Sequence, residues 1–242
     1  MFCRPSTCEV DQIVKLFDAG MSMARLNLSH GSMKQNLRTI NKYKEAKRLR
    51  PHKTCALMLE TRGREVRISS FETATQRIRS GSTVSMVIDE FHLKSNDTQL
   101  RINSNVIQRF LKPNDVIYFD DGKVVGIVIE VSAKEVKMEI KIGGSIKSNC
   151  NVRFTGGKHS NLELVTKEDI EDITAISQLI MIDYLAIPFC NSGADPMTVK
   201  ELLGPEGQHI KVLSKIDTLE GVQQFENILA QGDGTVFVRN EI

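Results

Sequence analysis

The spacing of apolar residues over the first part of the chain alternates between a helix period and a strand period. Val10, Ile13, Val14 and Phe17 recur at i, i+3, i+4 and i+7, which is the spacing of one buried helix face. The apolar run MSMARLNL follows, then a helical pattern over residues 34–48, then the run CALMLE. Strands that alternate with helices predict a parallel sheet whose functional residues lie at the carboxyl ends of its strands.

The pattern changes between about residues 68 and 160. Val136, Met138, Ile140 and Ile142 alternate with charged residues, which is typical of a half-buried strand. The run KVVGIVIEV precedes them, and Asp-Asp-Gly at 120–122 indicates a tight turn. Because no long helical pattern occurs in this stretch, we predict an all-β domain inserted into the β/α domain.

The alternation of helix and strand returns after the insert. TKED at 166–169 predicts the capped start of a helix. YLAIPF, IKVLSKID and TVFVRNEI are predicted strands, while MTVKELLG and EGVQQFENILAQG are predicted helices. Residues 1–67 and 161–242 are therefore expected to form one discontinuous domain, and residues 68–160 a second domain inserted between its two parts.

The composition is that of a globular protein and does not identify a binding partner. The 242 residues are 40% hydrophobic, enough for a substantial core, and the formal charge of +2 does not demand a polyanionic ligand. Five scattered cysteines without a CxxC pair indicate neither a disulfide framework nor a zinc site. No apolar run approaches the roughly 18 residues of a membrane span, and no apolar leader is visible. We expect a cytoplasmic protein that does not contact a membrane.

The segment from 34 to 53 is basic, with eight Lys or Arg and one acidic residue. Such a run is compatible with nucleic-acid binding. However, its helical spacing and its lack of aromatic residues other than Tyr43 favour a solvated helix face, and we expect no nucleic-acid partner.

Lys215 and Asp217 stand at the end of the predicted strand IKVLSKID. Taken alone, the two residues favour an ordinary ion pair at a strand end. Their context changes this interpretation, because five segments resemble pyruvate kinase in that family's order: DAGMSMARLNLSHG, LMLETRGREVR, IYFDDG, HIKVLSKIDTLEGVQQFENIL and DGTVFVRNEI. The resemblance extends over almost the whole chain.

The resemblance implies an α/β fold, a partial TIM-type (β/α) barrel with about strands 2–6 of the family barrel and an inserted all-β lid domain. It also implies that the family's C-terminal regulatory domain is absent from these residues. The implied activity is phosphoryl transfer from phosphoenolpyruvate to ADP, giving pyruvate and ATP, so phosphoenolpyruvate and ADP or ATP are the implied partners. Mg²⁺ or Mn²⁺ and K⁺ are the implied cofactors.

The roles of individual residues are likewise implied by the resemblance. Lys215 resembles the catalytic lysine that contacts the transferring phosphoryl group, a task suited to a compact ammonium. The implied phosphate-binding and nucleotide-binding residues are Arg25, Arg67 and His30. The implied ligands of the divalent metal are Asp217 and Glu241, and those of the monovalent cation are Asn27, Ser29, Glu60 and Thr61.

Two function classes follow. The first is a pyruvate kinase whose barrel is completed within a longer or assembled protein, and the second is a catalytically silent relative with a binding or structural role in an assembly. Glu60, Asp217 and Glu241 each differ from the family residue by one methylene, whereas Mg²⁺ requires near-ideal octahedral distances. We expect no more than trace turnover from this chain alone. Open sheet edges also predict a homo-oligomer or a partner-dependent subunit.

Overall fold

The computed structural model describes residues 9–29, 33–88, 90–104, 106–155, 164–179 and 181–239. These residues form two compact units. The first contains the described residues up to Arg64 together with those from 164 onward, and the second contains the described residues from Glu65 to 155.

The elements follow the chain in three groups. The first group is α1 (Val10–Asp18), β1 (Met23–Asn27), α2 (Met33–Leu49) and β2 (Ala56–Glu60). The second group consists of the strands β3 (Val66–Arg67), β4 (Thr75–Ile78), β5 (Thr83–Val87), β6 (Gln99–Arg101), β7 (Val116–Phe119), β8 (Val124–Val131), β9 (Glu135–Ile142), β10 (Gly144–Lys147) and β11 (Asn151–Phe154). The third group is α3 (Lys167–Ser177), β12 (Tyr184–Ile187), α4 (Ala194–Leu203), β13 (Lys211–Ile216), α5 (Leu219–Gln223), α6 (Phe225–Gln231) and β14 (Gly234–Phe237).

The first unit is built on a parallel sheet with the strand order β1-β2-β12-β13-β14. Every pairing in this sheet is parallel, and helices connect its successive strands. This arrangement confirms the predicted partial (β/α) barrel. It brings the carboxyl ends of all five strands to one edge of the sheet.

Aspartates that precede two strands fix the register of this sheet. The Asp183 carboxylate, just before β12, accepts the Leu57 N–H of β2 at 2.8 Å. The Asp233 carboxylate, just before β14, accepts the Val212 N–H of β13 at 2.9 Å. Each bond ties the start of one strand to its neighbour, so the carboxyl ends on the other side are held in a defined alignment.

The core of the first unit lies between the sheet and its helices. Ile13 and Phe17 of α1 are fully buried, as the helix period predicted. Phe17 meets Tyr43 of α2 edge to face, with ring centroids 5.6 Å apart. The Tyr43 hydroxyl donates to the Cys55 carbonyl at 2.7 Å, so α2 is anchored to the start of β2.

The regular elements of the second unit are β-strands, apart from a short 3₁₀ turn at Ile107–Arg109, over its described residues. Its larger sheet has the order β3-β11-β7-β8-β9-β5-β6, and β10 pairs with β4. Val136, Met138 and Ile140 are fully buried as expected, but Ile142 is 55% exposed. The reason is a register shift opposite Val125 and Gly126, because a β-bulge moves the following side chain to the other face.

The last predicted helix is divided. Gln224 has φ −101° and ψ 13°, outside the helical region, and it separates α5 from α6. The last strand is also shorter than the apolar run that predicted it, although the Val238 N–H still donates to the Ile216 carbonyl at 3.1 Å. Over the described ranges, no helix is long and apolar enough to span a bilayer.

Candidate functional site

Strand alternation presents Arg25 and Asn27 away from the helices. In β1 the buried residues are Ala24 and Leu26, which belong to the apolar core of the first unit. Arg25 and Asn27 therefore lie on the opposite, half-buried face. Asn27 is the register partner of Glu60, the last residue of β2, so two of the predicted site residues are neighbours across the sheet.

Glu60 is the centre of a buried ion network. Its side chain is only 3% exposed, and its carboxylate accepts hydrogen bonds from Nε and Nη2 of Arg25. The other carboxylate oxygen accepts from Nζ of Lys215 in β13 at 2.6 Å. The side chains of Arg25 and Lys215 are 23% and 9% exposed, so one carboxylate is shared by two cations with little access to water.

Asp217 completes the network one residue beyond the end of β13. Its side chain is fully buried, and its Oδ2 lies 3.7 Å from Lys215 Nζ. The backbone N–H of Phe189 donates to both carboxylate oxygens, at 2.9 and 3.2 Å. The two cations Arg25 and Lys215 thus balance the two carboxylates of Glu60 and Asp217, which is the condition for keeping charges in a low-dielectric interior.

The oxygen-bearing residues predicted for the monovalent cation also lie at the carboxyl ends of β1 and β2. Asn27 Oδ1 accepts the Ser29 N–H at 2.8 Å, and the Thr61 N–H donates to the Ala186 carbonyl at 3.1 Å. Together with Glu60, these residues offer amide, hydroxyl, carbonyl and carboxylate oxygens. Such a donor set fits a hard cation and does not fit a thiophilic one.

Of the residues predicted to bind the divalent metal and phosphate groups, some lie within the described part of the chain and others lie outside it. Asp217 supplies a buried carboxylate of the kind that Mg²⁺ takes, while Glu241 and His30 lie outside the described residues. Arg67 belongs to the second unit, where its guanidinium contacts Glu65 Oε2 at 2.6 and 3.1 Å and the Asn149 carbonyl at 2.8 Å. Within the described chain, no group of three or more His, Cys, Asp or Glu side chains is placed to hold a metal ion.

The structure shows contacts beside Asp217 that the sequence did not reveal. The Thr218 hydroxyl accepts the Gly221 N–H at 3.0 Å and so caps α5. The same hydroxyl donates to Asn191 Oδ1 at 2.6 Å, which links it to the loop after β12. The Asn191 N–H in turn donates to Asp195 Oδ2 at 2.6 Å. The Thr-Leu-Glu-Gly sequence signals the cap of α5, but nothing in the sequence indicates its partner Asn191.

Two further side chains near this loop are buried, and burial shifts their pKa. Burial lowers the pKa of the Arg64 guanidinium, and the neighbouring Asp195 opposes this shift; Arg64 Nη2 lies 3.9 Å from Asp195 Oδ2. Burial also raises the pKa of Cys190 to about 12. Cys190 therefore stays a neutral thiol at physiological pH and is a packing residue, because the thiolate is the nucleophilic form.

Comparison with known proteins gives a consistent result. Residues 2–242 match the family model described as pyruvate kinase, barrel domain. The chain is 29% identical over 239 residues to the pyruvate kinase of Eimeria tenella, covering 98% of this chain and 45% of that protein. It is 30% identical over 241 residues to the pyruvate kinase of Schizosaccharomyces pombe, covering 98% of this chain and 47% of that protein.

A solved structure agrees over the same span. The crystal structure of Cryptosporidium parvum pyruvate kinase matches with a TM-score of 0.91 at 27% identity, covering 98% of this chain and 50% of that one. The chain therefore spans about half the length of the relatives that it matches.

Proposed function

The chain belongs to the pyruvate kinase family, and from this premise we propose that the carboxyl end of its parallel sheet binds phosphoryl groups and serves phosphoryl transfer from phosphoenolpyruvate to ADP. Lys215 is the proposed catalytic residue, and Arg25 is the proposed phosphate-binding residue beside it. We further propose that the second unit corresponds to the inserted lid domain of the family.

The observation that carries this proposal is the sharing of the Glu60 carboxylate between Arg25 and Lys215. The two cations come from different strands and converge on one anionic group. A phosphate has more charge and more acceptor oxygens than a carboxylate, and it forms strong charge-assisted bonds with a guanidinium fork and an ammonium. A phosphoryl group can therefore replace Glu60 as the partner of both cations.

Phosphoryl transfer depends on positioning and on cations matched to the oxygens of the transferring group. In the proposed site, Asp217 and Glu241 would hold Mg²⁺ or Mn²⁺, while Asn27, Ser29, Glu60 and Thr61 would hold K⁺. The bound metal ions would neutralise negative charge on the phosphoryl oxygens. Arg67 and His30 are proposed as further contacts on the phosphate and nucleotide side.

One observation favours a second candidate, a catalytically silent subunit that binds ligands or partners. The charges of Arg25, Lys215, Glu60 and Asp217 already compensate one another within the protein, so the buried carboxylate of Glu60 competes with any phosphate. In both candidates the chain is a homo-oligomer or a partner-dependent subunit. The reason is that β14 lies at one end of the sheet over the described residues, and a strand at the end of a sheet can pair with another chain.

Isothermal titration calorimetry tests the binding proposal. The full chain is titrated with phosphoenolpyruvate in Mg²⁺ and K⁺, alongside Lys215→Met and the control Lys211→Met. Lys211 lies at the opposite end of the same strand with a 58% exposed side chain. Losing a hydrogen bond to a charged group costs about 1.5–3 kcal/mol, so Lys215→Met should weaken binding by roughly 10- to 100-fold and Lys211→Met should leave it unchanged.

Absence of phosphoenolpyruvate binding, or equal affinity for the two lysine variants, would overturn the proposal. A pyruvate assay on the same proteins then separates the two candidates. Turnover that disappears in Lys215→Met supports the enzyme. Binding without turnover above a trace supports the silent subunit.

A further inference from the structure

The segment 188–193 joins β12 to α4 and contacts the residues that follow β13. It carries Phe189, whose N–H donates to Asp217, and Asn191, whose side chain accepts from Thr218. Resting on the proposed function, we propose that Phe189 is a positioning residue of the site. Its left-handed backbone holds the Asp217 carboxylate in the orientation that binds a divalent cation.

The backbone of Phe189 is unusual for its residue type. Its φ is +58°, and the other non-glycine residues with positive φ in the described chain are all Asn or Asp. Asn and Asp tolerate this region because their side chains bond to the nearby backbone, whereas a bulky aromatic residue has no such compensation. Backbone strain of this kind persists where the surroundings enforce it, and it is concentrated at functional sites.

The surroundings of Phe189 enforce this conformation from two sides. On one side, a Cβ added to Gly63, in the loop after β2, would lie 2.4 Å from Pro188 Cγ. On the other side, a Cβ added to Gly221 in α5 would lie 2.6 Å from the Cys190 carbonyl oxygen. Both glycines therefore allow a neighbouring element to pack directly against the residues on either side of Phe189.

The left-handed turn has a direct consequence for Asp217. It lets the chain change direction at the end of β12 while the Phe189 N–H still points at the carboxylate after β13. Both carboxylate oxygens accept from this single N–H, which fixes the plane of a group that is fully buried. A carboxylate held in this way is already ordered, so binding a cation costs it less conformational freedom than it would cost a mobile side chain.

Two substitutions at Phe189 separate the backbone role from a packing role. Phe189→Gly keeps the N–H and adopts positive φ without penalty, but it removes a buried ring. Phe189→Ile keeps apolar volume, but its β-branched side chain is strongly disfavoured at positive φ. A packing role makes the glycine variant worse than the isoleucine variant, and the positioning role reverses this order.

The measurement is Mn²⁺ affinity of the full chain by electron paramagnetic resonance, with circular dichroism to verify folding of each variant. We expect Phe189→Gly to bind Mn²⁺ within about threefold of the parent chain. We expect Phe189→Ile to lose about tenfold or more, and Asp217→Asn to lose most of the affinity. The tenfold loss corresponds to about 1.4 kcal/mol, within the range of one hydrogen bond to a charged group.

The outcomes distinguish the two proposals. If the parent chain binds Mn²⁺ through Asp217 but Phe189→Gly is weaker than Phe189→Ile, the positioning proposal is wrong and the proposed function stands. If the parent chain binds no Mn²⁺, or if Asp217→Asn binds it equally well, the proposed cation site fails and the positioning role fails with it.

Discussion

Replacing Glu60 by glutamine tests the buried ion network at its centre. The substitution keeps the size of the side chain, but it replaces one acceptor oxygen by an amide donor and removes the negative charge shared by Arg25 and Lys215. Lys215 is then left with Asp217, 3.7 Å away, as its nearest described counter-ion. Arg25 loses its carboxylate partner at a position that is three-quarters buried.

The expected loss of stability is large for a near-isosteric change. Removing one partner of a buried ion pair typically costs about 3–5 kcal/mol, because the other charge stays desolvated. Arg25 is 23% exposed and can turn part of its guanidinium toward water, and Lys215 keeps Asp217. Both factors place the expected loss near the lower limit, at about 3 kcal/mol. This is a sizeable fraction of the roughly 5–15 kcal/mol that stabilises a domain.

Urea unfolding followed by tyrosine fluorescence measures this effect in the first unit alone. The chain has no Trp and three Tyr, so a Tyr118→Phe background leaves only Tyr43 and Tyr184 as emitters. The matched control is Asp18→Asn, which breaks the exposed pair that Asp18 forms with Arg50 at 2.8 and 2.9 Å. Exposed pairs contribute little, so this control should leave the midpoint unchanged. Equal midpoints for Glu60→Gln and Asp18→Asn would refute the inference that Glu60 carries a buried network.

Three further predictions concern other parts of the molecule. Thr166 and Asp169 form a capping box, and the Asp169 carboxylate also accepts the Gly63 N–H. In urea titrations, Thr166→Ala should lower the free energy of unfolding by about 1 kcal/mol, the usual cost of losing a cap. Asp169→Ala should lower it by more, because the bond to Gly63 is lost as well. Burial raises the pKa of Asp172 above 3.8, so its ionised form opposes folding. Asp172→Asn should therefore not lower the free energy of unfolding at pH 7. Any gain should vanish as the pH falls below 3.8, because Asp172 is then protonated in the folded and the unfolded state. A lower free energy of unfolding at pH 7 would contradict this. Burial raises the pKa of Cys190 to about 12, so the Cys190 thiol should react with a disulfide reagent at pH 8 only after unfolding, as mass spectrometry of labelled peptides would reveal.

Local sequence patterns were sufficient to predict the sheet of the first unit and the position of Lys215 within it. The apolar runs are short and are separated by helix-period segments, and each of them forms a parallel strand in the structure. The position of Lys215 near the carboxyl end of its strand follows from this pattern. Its partner Glu60 is 155 residues away in sequence, and only the sheet order brings the two together.

The parts that could not be predicted depend on backbone geometry and long-range packing. Nothing in the letters PFCN indicates that Phe189 adopts positive φ, because that conformation is enforced by elements packed against the neighbouring residues. The exposure of Ile142 has a similar origin, since the bulge that redirects it is a property of the pairing between β8 and β9. The helix and strand periods of apolar residues describe regular elements, so they predict neither a β-bulge nor a residue with positive φ.

The most direct test of the proposed site is a crystal structure of the full chain with phosphoenolpyruvate, Mg²⁺ and K⁺. The proposal requires Arg25 and Lys215 to leave Glu60 and to contact phosphoryl oxygens at about 2.7–2.9 Å, the range of charge-assisted hydrogen bonds. Phosphoenolpyruvate bound elsewhere, with both cations still paired to Glu60, would contradict it.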